Sequence, residues 1–274
     1  MVRFYSSAEW HGLQPSTQTT YKGIIERIRQ EHGDKPVALL RRDDVKALRD
    51  KKIQTPAAAN NWLRMMRTLM QYAIEIGFRV DDPTVGVKPL RIKSDGFAIW
   101  PDHHIEKFRA HHALGTRARL ALELLYNTMQ RRGDVVRMGR QHIRGDFLSI
   151  VQQKTRTLVE VPVMQELQTA IDATPNEHLT FIITQSGKAF SSAGFGNWFR
   201  DVCNEAGIPE GFSSHGLRKS GATRLADHGA TDHEIMAWGG WTTLKEVQRY
   251  TKAANRRRNA IAGGLKLKAG TSLG

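Results

Sequence analysis

The chain has 274 residues, of which 41 are Lys or Arg and 27 are Asp or Glu, so its formal net charge is +14. A surplus of this size indicates a polyanionic partner, most often nucleic acid, although a generic basic surface would give the same count. Cys203 is the only cysteine, which excludes a disulfide framework and a cysteine-rich zinc site and is typical of a reducing compartment. The sequence has no apolar run long enough to span a bilayer and no signal-peptide pattern, so we expect a cytoplasmic protein that does not contact a membrane.

Residues 1–86 are predicted to form a helical domain. Pro15 begins a segment in which isoleucines recur at helical spacing, and Ser16 is its expected N-cap. Asp43 or Asp44 is expected to cap a short second helix. The first third of the chain therefore has the pattern of a small helical bundle.

A longer helix is predicted from Ala57 to Ile76, because Thr55-Pro56 is a typical helix start and Gly77 a typical end. Its stripe of Met and aromatic side chains is interpreted as packed core rather than as a ligand-binding surface. The stretch 87–98 that follows is polar and basic and has no periodicity, which predicts an interdomain linker.

Residues 99–274 are predicted to form a second domain. Helices are expected from Pro101, from Thr116 to Met129 and from Arg132 to Met138. Further helices, separated by glycines, are expected between about residue 191 and residue 262. The predicted fold class is mainly α with a small β-hairpin or sheet, an α+β arrangement in two domains.

Two short β-branched segments at 147–151 and 157–161 predict a hairpin, and Lys154 lies between them. A further short strand is predicted at 180–183. The last residues, 263–274, contain several Gly and Lys residues and are expected to form a mobile tail.

Cleavage of a phosphodiester needs positive charge near the non-bridging oxygens, a nucleophile, and a proton donor for the leaving oxygen. Metal-dependent nucleases hold their metals with carboxylates, but the acidic pairs at 43–44 and 81–82 lie at element boundaries, where capping explains them better. The histidine pairs at 103–104 and 111–112 point to different sides of a helix, so we expect no metal site and no cofactor. A metal-free site would use arginines, which bind phosphate bidentately, with tyrosine as nucleophile.

Four segments with this chemistry occur in order along the chain. Residues 128–134 read Thr-Met-Gln-Arg-Arg-Gly-Asp, and residues 214–223 read Ser-His-Gly-Leu-Arg-Lys-Ser-Gly-Ala-Thr. Residues 238–241 read Trp-Gly-Gly-Trp, and residues 246–252 read Glu-Val-Gln-Arg-Tyr-Thr-Lys. This order resembles the tyrosine recombinase family, the phage-integrase group, and the resemblance covers essentially the whole chain.

The resemblance assigns roles to the first segment and to the hairpin. Arg131 matches the first catalytic arginine of the family, whereas Met129 stands where the family usually has glycine. Asp134 matches an acidic position that orients the active-site groups. Lys154 matches the lysine that protonates the leaving 5′ oxygen.

The later segments carry the remaining roles. His215 and Arg218 match the family's His-x-x-Arg box, and Tyr250 matches the nucleophile. Trp241 occupies a position usually held by a second histidine; some members have tryptophan there, and its indole N–H still donates a hydrogen bond. Each residue alone has an ordinary structural explanation, and only their joint order favours the catalytic one.

By this resemblance the two domains form a clamp around double-stranded DNA, and the chain is a site-specific recombinase that cleaves and rejoins strands through a 3′-phosphotyrosine. It would need neither metal nor ATP, and would integrate or excise a mobile element in the bacterial cytoplasm or nucleoid. The family implies a homotetramer on paired DNA sites, with residues 253–268 exchanged between protomers, and a monomer when free. Two alternatives remain at this point: a relaxing DNA topoisomerase with the same chemistry, and a DNA-binding architectural protein without turnover.

Overall fold

The computed structural model describes residues 2–92, 96–174 and 177–271, and at positions 253, 254, 257 and 268–271 it describes the backbone alone. The chain divides into two compact units, Met1–Ser94 and Asp95–Gly274. The boundary lies within the stretch that the sequence predicts to be a linker. Residues just before it are bound to the first unit, since the amide of Asn60 exchanges two hydrogen bonds with the backbone of Leu90.

The first unit is built from helices only in its described part. Its elements are α1 (Ala8–His11), α2 (Pro15–His32), α3 (Arg42–Asp50) and α4 (Pro56–Glu75), with 3-10 turns at Val2–Ser6 and Val37–Leu39. The core lies between α2, α3 and α4, where Ile25, Val45 and Met65 have no exposed surface. The Met and aromatic stripe of α4 belongs to this core, which confirms its interpretation as packing.

Residue type and backbone conformation determine where the helices of this unit begin and end. Ser16 is not the N-cap of α2: Gln14 takes that place, because Pro15 has no N–H to lose and occupies the first helical position. Asp44 lies in the third helical position of α3 and accepts a hydrogen bond from the backbone N–H of Arg41 at 2.9 Å. Gly77 follows α4 with φ +74°, a conformation that L side chains avoid.

The second unit is mainly helical and contains one small sheet. Its elements are α5 (Asp102–His111), α6 (Arg117–Thr128), α7 (Arg132–Val135), β1 (Ile143–Arg144), β2 (Phe147–Val151), β3 (Leu158–Pro162), α8 (Gln165–Ala173), α9 (Ser192–Glu205), α10 (Ser214–Asp227), α11 (Asp232–Gly239) and α12 (Leu244–Thr271), with a 3-10 turn at Arg140–His142. The main core surrounds α6, which is buried over nearly its whole length. The fold class is the predicted one.

The sheet is antiparallel with the order β1-β2-β3, so the predicted hairpin is present as β2 and β3. Leu148 pairs with Val161 and Ile150 with Val159, and these four side chains form the buried face of the hairpin. The sequence does not predict β1, because two residues are too few to show a strand pattern.

Two predictions for this unit are wrong. The apolar run at 180–183 is not a strand: apart from a single bridge between Ile183 and Ala189 it is irregular, and its buried side chains fill the core from a loop. The expected tail is helical as far as Thr271, because Ala, Leu and Lys flank the two glycines and are strong helix formers; its last residues, 272–274, lie outside the described part of the chain. Within the described residues, no helix combines the length and the apolar character needed to cross a membrane.

Candidate active site

The site begins at the turn that follows α6. Met129 adopts φ 52° and ψ 28°, the left-handed conformation that glycine favours, at the position where glycine was expected. Its side chain is buried because Gly221 of α10 leaves space for it: a Cβ at Gly221 would lie 2.7 Å from the Met129 Cγ. The turn therefore adopts the left-handed conformation without glycine, and Gln130 and Arg131 follow it directly.

Arg218, on α10, is held against this turn. Its Nη1 donates a hydrogen bond to the Met129 carbonyl at 2.6 Å, and its guanidinium lies over the Trp241 ring, 4.0 Å from the centroid. Only 7% of the residue is exposed, and its buried Nη2 has no hydrogen-bond partner among the residues that the structure describes. A guanidinium held this way keeps one donor available for an anion.

Arg131 adds a second positive charge beside Arg218. Its Nη1 donates to the Gln152 Oε1 at 2.8 Å. Burial and, after it, the charge of the nearby Arg131 lower the pKa of Arg218 to about 9, while Tyr250, Asp134 and Glu246 act more weakly in the opposite direction. Because the buried charge of Arg218 lies beside a second positive charge, binding of a negative group next to them is favourable.

Tyr250, on α12, lies next to this pair. Its ring centroid is 5.7 Å from that of Trp241, and the side chain is half-buried rather than sealed in a core. Burial raises the pKa of the phenol, whereas the positive charge of Arg218 acts in the opposite direction. The structure thus brings together Arg131, Arg218, Trp241 and Tyr250, which are far apart in sequence.

His215 lies at the start of α10, on the same side. Its ring stacks on Phe97 with centroids 4.6 Å apart and an interplanar angle of 29°. Burial lowers its pKa, and so do, in decreasing order, the charges of Arg132, Arg218, Arg131 and Lys154. The imidazole is therefore surrounded by cations and is disposed to remain neutral. The sequence missed Phe97, which falls in the predicted linker.

Asp134 and Lys154 belong to the same corner of the fold. The Asp134 carboxylate is buried and accepts a hydrogen bond from the Gln153 backbone N–H at 2.8 Å, which anchors the turn between β2 and β3. Lys154 is exposed on that turn, next to the anchored residue. Of the predicted site residues, Lys154 is the one with an exposed side chain, and its charge has the weakest effect of the four cations that lower the pKa of His215.

The predicted site residues thus meet in one place, and a comparison with known proteins identifies the family. The profile of the phage integrase family matches residues 103–257, more than half of the chain and all of the predicted site residues. The chain belongs to this family. The family predicted from the sequence motifs is confirmed, and so is the enzyme class, a tyrosine-type site-specific recombinase.

Individual relatives are distant in sequence. The tyrosine recombinase XerD of Listeria innocua serovar 6a is 22% identical over 237 residues, which cover 80% of this chain and 80% of that protein. Among solved structures, a lambda integrase dimer bound to a COC′ core site matches with a TM-score of 0.80 and 19% identity, covering 91% of this chain and 93% of that one. A lambda integrase tetramer bound to a Holliday junction matches with a TM-score of 0.77 and 20% identity, over 88% and 76% of the two chains. These structures support the fold.

In this phage integrase family member, one histidine of each adjacent pair has a structural role. The His112 Nε2 hydrogen-bonds the Val202 carbonyl at 2.9 Å, and the His104 ring packs edge-on against Phe212. In the described parts of the chain, no three His, Cys, Asp or Glu side chains are grouped as metal ligands.

Two buried glutamines beside the arginines were missed at the sequence level. Gln130 and Gln152 have no exposed surface. A signal was present in β2, where Leu148 and Ile150 alternate on the buried face and Gln152 is the next residue in that series. A polar residue at a position that should be apolar marks a buried hydrogen-bond network.

Proposed function

We propose that Arg131 and Arg218 bind the scissile phosphate of a DNA strand and that Tyr250 is the nucleophile that attacks it. The observation that carries this proposal is the buried Arg218 guanidinium, whose free Nη2 lies beside a second arginine and near the phenol. A phosphate provides the missing acceptor and the missing negative charge, and guanidinium groups bind it with paired hydrogen bonds. Both arginines are held by neutral oxygens, so their full charge is available to the phosphate.

In the proposed reaction the Tyr250 oxygen forms a bond to phosphorus while the bond from phosphorus to the 5′ oxygen breaks. His215, neutral because its pKa is lowered, accepts the phenolic proton. Lys154 donates a proton to the leaving 5′ oxygen. The 3′ end stays on the protein as phosphotyrosine, and a 5′ hydroxyl of a partner strand reverses the step. The phosphoester energy is kept in the covalent link, so no ATP is consumed.

The supporting residues hold this arrangement. Trp241 lies under the Arg218 guanidinium and fixes its plane by a cation–π contact. Asp134 holds the turn that carries Lys154. The proposed division of labour is that the arginines stabilise the charge on phosphorus, while the side chains around them act by positioning.

We further propose that the two units close around double-stranded DNA and that four copies act on two paired sites, integrating or excising a mobile element, while the free chain is a monomer. The lambda integrase structures, a dimer on a core site and a tetramer on a Holliday junction, support this assembly. Residues 253–268 are proposed to be exchanged between protomers. α12 continues far beyond Tyr250 and exposes Ile261 and Leu265, apolar side chains that a neighbouring copy would cover.

The test is to incubate the protein with genomic DNA from its organism of origin, denature it, and sequence the DNA ends that remain covalently attached. We expect ends that cluster at a few positions and that disappear with Tyr250→Phe but persist with Tyr21→Phe, a half-buried tyrosine of the first unit. Attachment that survives in Tyr250→Phe would refute the nucleophile. Relaxation of supercoiled plasmid without recombination between two cloned copies of the trapped site would instead indicate a topoisomerase.

A further inference from the structure

Gln152 makes four hydrogen bonds through one buried amide. Its Oε1 accepts from the Arg131 Nη1 at 2.8 Å and from the Thr155 hydroxyl at 2.6 Å. Its Nε2 donates to the Gln130 Oε1 at 2.7 Å and to the Gly239 carbonyl at 2.7 Å. This is the full capacity of an amide, two donors and two acceptor lone pairs.

The direction of every bond in this network is fixed. Arg131 can only donate and the Gly239 carbonyl can only accept, so the Gln152 amide has one possible orientation. The Gln130 amide is fixed in turn, because its Oε1 faces Gln152 while its Nε2 donates to the Thr128 carbonyl at 2.9 Å and the Trp238 carbonyl at 3.1 Å. A fully satisfied buried network of this kind is rigid, since any rotation leaves a buried polar group without a partner.

The two glutamines connect three parts of the site. Gln152 directly follows β2 and accepts a hydrogen bond from Thr155, so it belongs to the turn that carries Lys154. Through the Trp238 and Gly239 carbonyls, both glutamines hold the end of α11, immediately before Trp241. Gly240 has φ +67° and a Cβ there would collide with the Gln152 amide, so backbone and amide are packed directly against each other.

We propose that Gln152, held by Gln130, is the positioning residue that sets the Arg131 guanidinium relative to Arg218. The inference rests on the proposed role of Arg131 in binding phosphate. Gln152 acts on one arginine directly and on the other through the turn before Trp241, whose ring lies under Arg218. A neutral amide suits this role, because a carboxylate in its place would neutralise the guanidinium that has to bind phosphate.

The test is Gln152→Met, which keeps the length of the side chain and removes its hydrogen bonds. We expect the single-turnover rate of covalent attachment at saturating protein, on a nicked substrate carrying the trapped site, to fall about 10- to 100-fold. The Kd for the same DNA should stay that of the unaltered protein. Gln153→Met is the matched control: the neighbouring glutamine has an exposed side chain, and its variant should keep the normal rate.

A double-mutant cycle separates positioning from a general structural role. If Gln152 acts mainly through Arg131, then Gln152→Met lowers the rate much less in an Arg131→Ala background than in the unaltered protein. Suppose that Arg131→Ala lowers the rate but Gln152→Met leaves it unchanged, or that Gln152→Met lowers it by the same factor with and without Arg131→Ala. Either result overturns this inference and leaves the proposed function standing. Arg131→Ala at the normal rate overturns the proposed function itself. If Gln152→Met unfolds below the assay temperature, Gln130→Met replaces it. We expect Gln130→Met to lower the attachment rate several-fold, and the same outcomes decide the test.

Discussion

Both units contain buried arginines, but the partners of their guanidinium groups differ. In the first unit Arg49 and Arg79 are 9% and 8% exposed, and each guanidinium is bound to a backbone carbonyl and to a carboxylate, that of Asp50 or Asp81. Arg218 of the second unit is buried to the same degree, at 7% exposed. It has one carbonyl acceptor, an aromatic ring beneath it and another arginine nearby.

The difference separates structural from functional burial of charge. A buried ion that is paired and fully hydrogen-bonded holds its surroundings together, whereas one that lacks a counter-charge lowers the stability of the protein without its ligand. Arg49 and Arg79 join segments of a helical unit. Arg218 corresponds to the second case, since no carboxylate hydrogen-bonds to it among the described residues, and in the proposed function its counter-charge is the phosphate of the DNA.

Replacing one buried arginine of each unit by methionine is the strongest test of this difference. Arg218→Met should lower the single-turnover rate of covalent attachment about 10²- to 10³-fold, as the loss of a donor to a developing oxyanion does. Its free energy of unfolding should be equal to or higher than that of the unaltered protein, because an uncompensated buried charge is removed. Chemical denaturation and rates on the trapped DNA site give both numbers.

Arg79→Met provides the control. It should lower the free energy of unfolding by about 1–3 kcal/mol, since it leaves the Val37 carbonyl without its donor. Covalent attachment should proceed at the normal rate once the protein is folded. If Arg218→Met proves the more destabilising of the two, the contrast between the units is wrong.

The next largest expected effect is on the pH dependence of the attachment rate, through the cations around His215. His215 accepts a proton only when neutral, and its pKa lies below the ordinary value. The attachment rate should therefore be level around pH 7 and decrease as the pH falls through the lowered pKa, by about tenfold per unit. Arg132 is the largest charge contribution, so Arg132→Gln should raise the pKa of His215 and move the acid limb to higher pH.

Arg144→Gln, which removes an exposed cation from β1, is the control and should leave the acid limb in place. A pH–rate profile of single-turnover attachment checks both variants. An acid limb unmoved by Arg132→Gln would mean that His215 is not the group that titrates.

A smaller effect concerns the site without DNA. Inorganic phosphate should stabilise the unaltered protein, by about 1.4 kcal/mol at ten times its Kd, because it binds the folded state alone. Arg218→Met should lose this increment, while Arg79→Met should keep it. Thermal shifts at constant ionic strength measure it, and equal shifts in all three proteins would show that phosphate acts by its general salting-out effect.

The sequence predicted the members of the site because family motifs keep residue types and order. The structure brings Arg131, Asp134, His215 and Arg218 to one corner of the fold, as the proposed phosphate site requires. The sequence could not show that Arg218 is the buried partner and Lys154 the exposed one, because burial depends on contacts between distant segments.

The errors have a similar origin. The apolar run at 180–183 has the composition of a strand, but it pairs with no neighbouring strand and is buried as a loop, and pairing is not a local property. Gln152 looks like an ordinary polar residue of a hairpin until α11 is packed against it. Phe97 looks like part of a linker until the ring of His215 is stacked on it.

The smallest expected effect on the reaction lies at Met129. In the first unit glycine provides the left-handed residue after a long helix, at Gly77, whereas the second unit uses methionine. Met129→Gly relieves backbone strain of about 1–2 kcal/mol. It also removes a buried side chain that packs with Ala222 and Trp241, at a cost of about 2–5 kcal/mol.

The loss of the buried side chain outweighs the relief of strain, so Met129→Gly should lower the free energy of unfolding by about 1–3 kcal/mol. The Arg218 contact is to the carbonyl of residue 129, which glycine retains, so the attachment rate of the folded variant should change far less than in Arg218→Met. Gly77→Ala is the counterpart: its Cβ meets no atom within 4 Å, so only the strained φ of +74° acts and stability alone should fall, by about 1 kcal/mol. A large loss of attachment rate in Met129→Gly would mean that the methionine side chain, and not the shape of the turn, holds Arg218 in place.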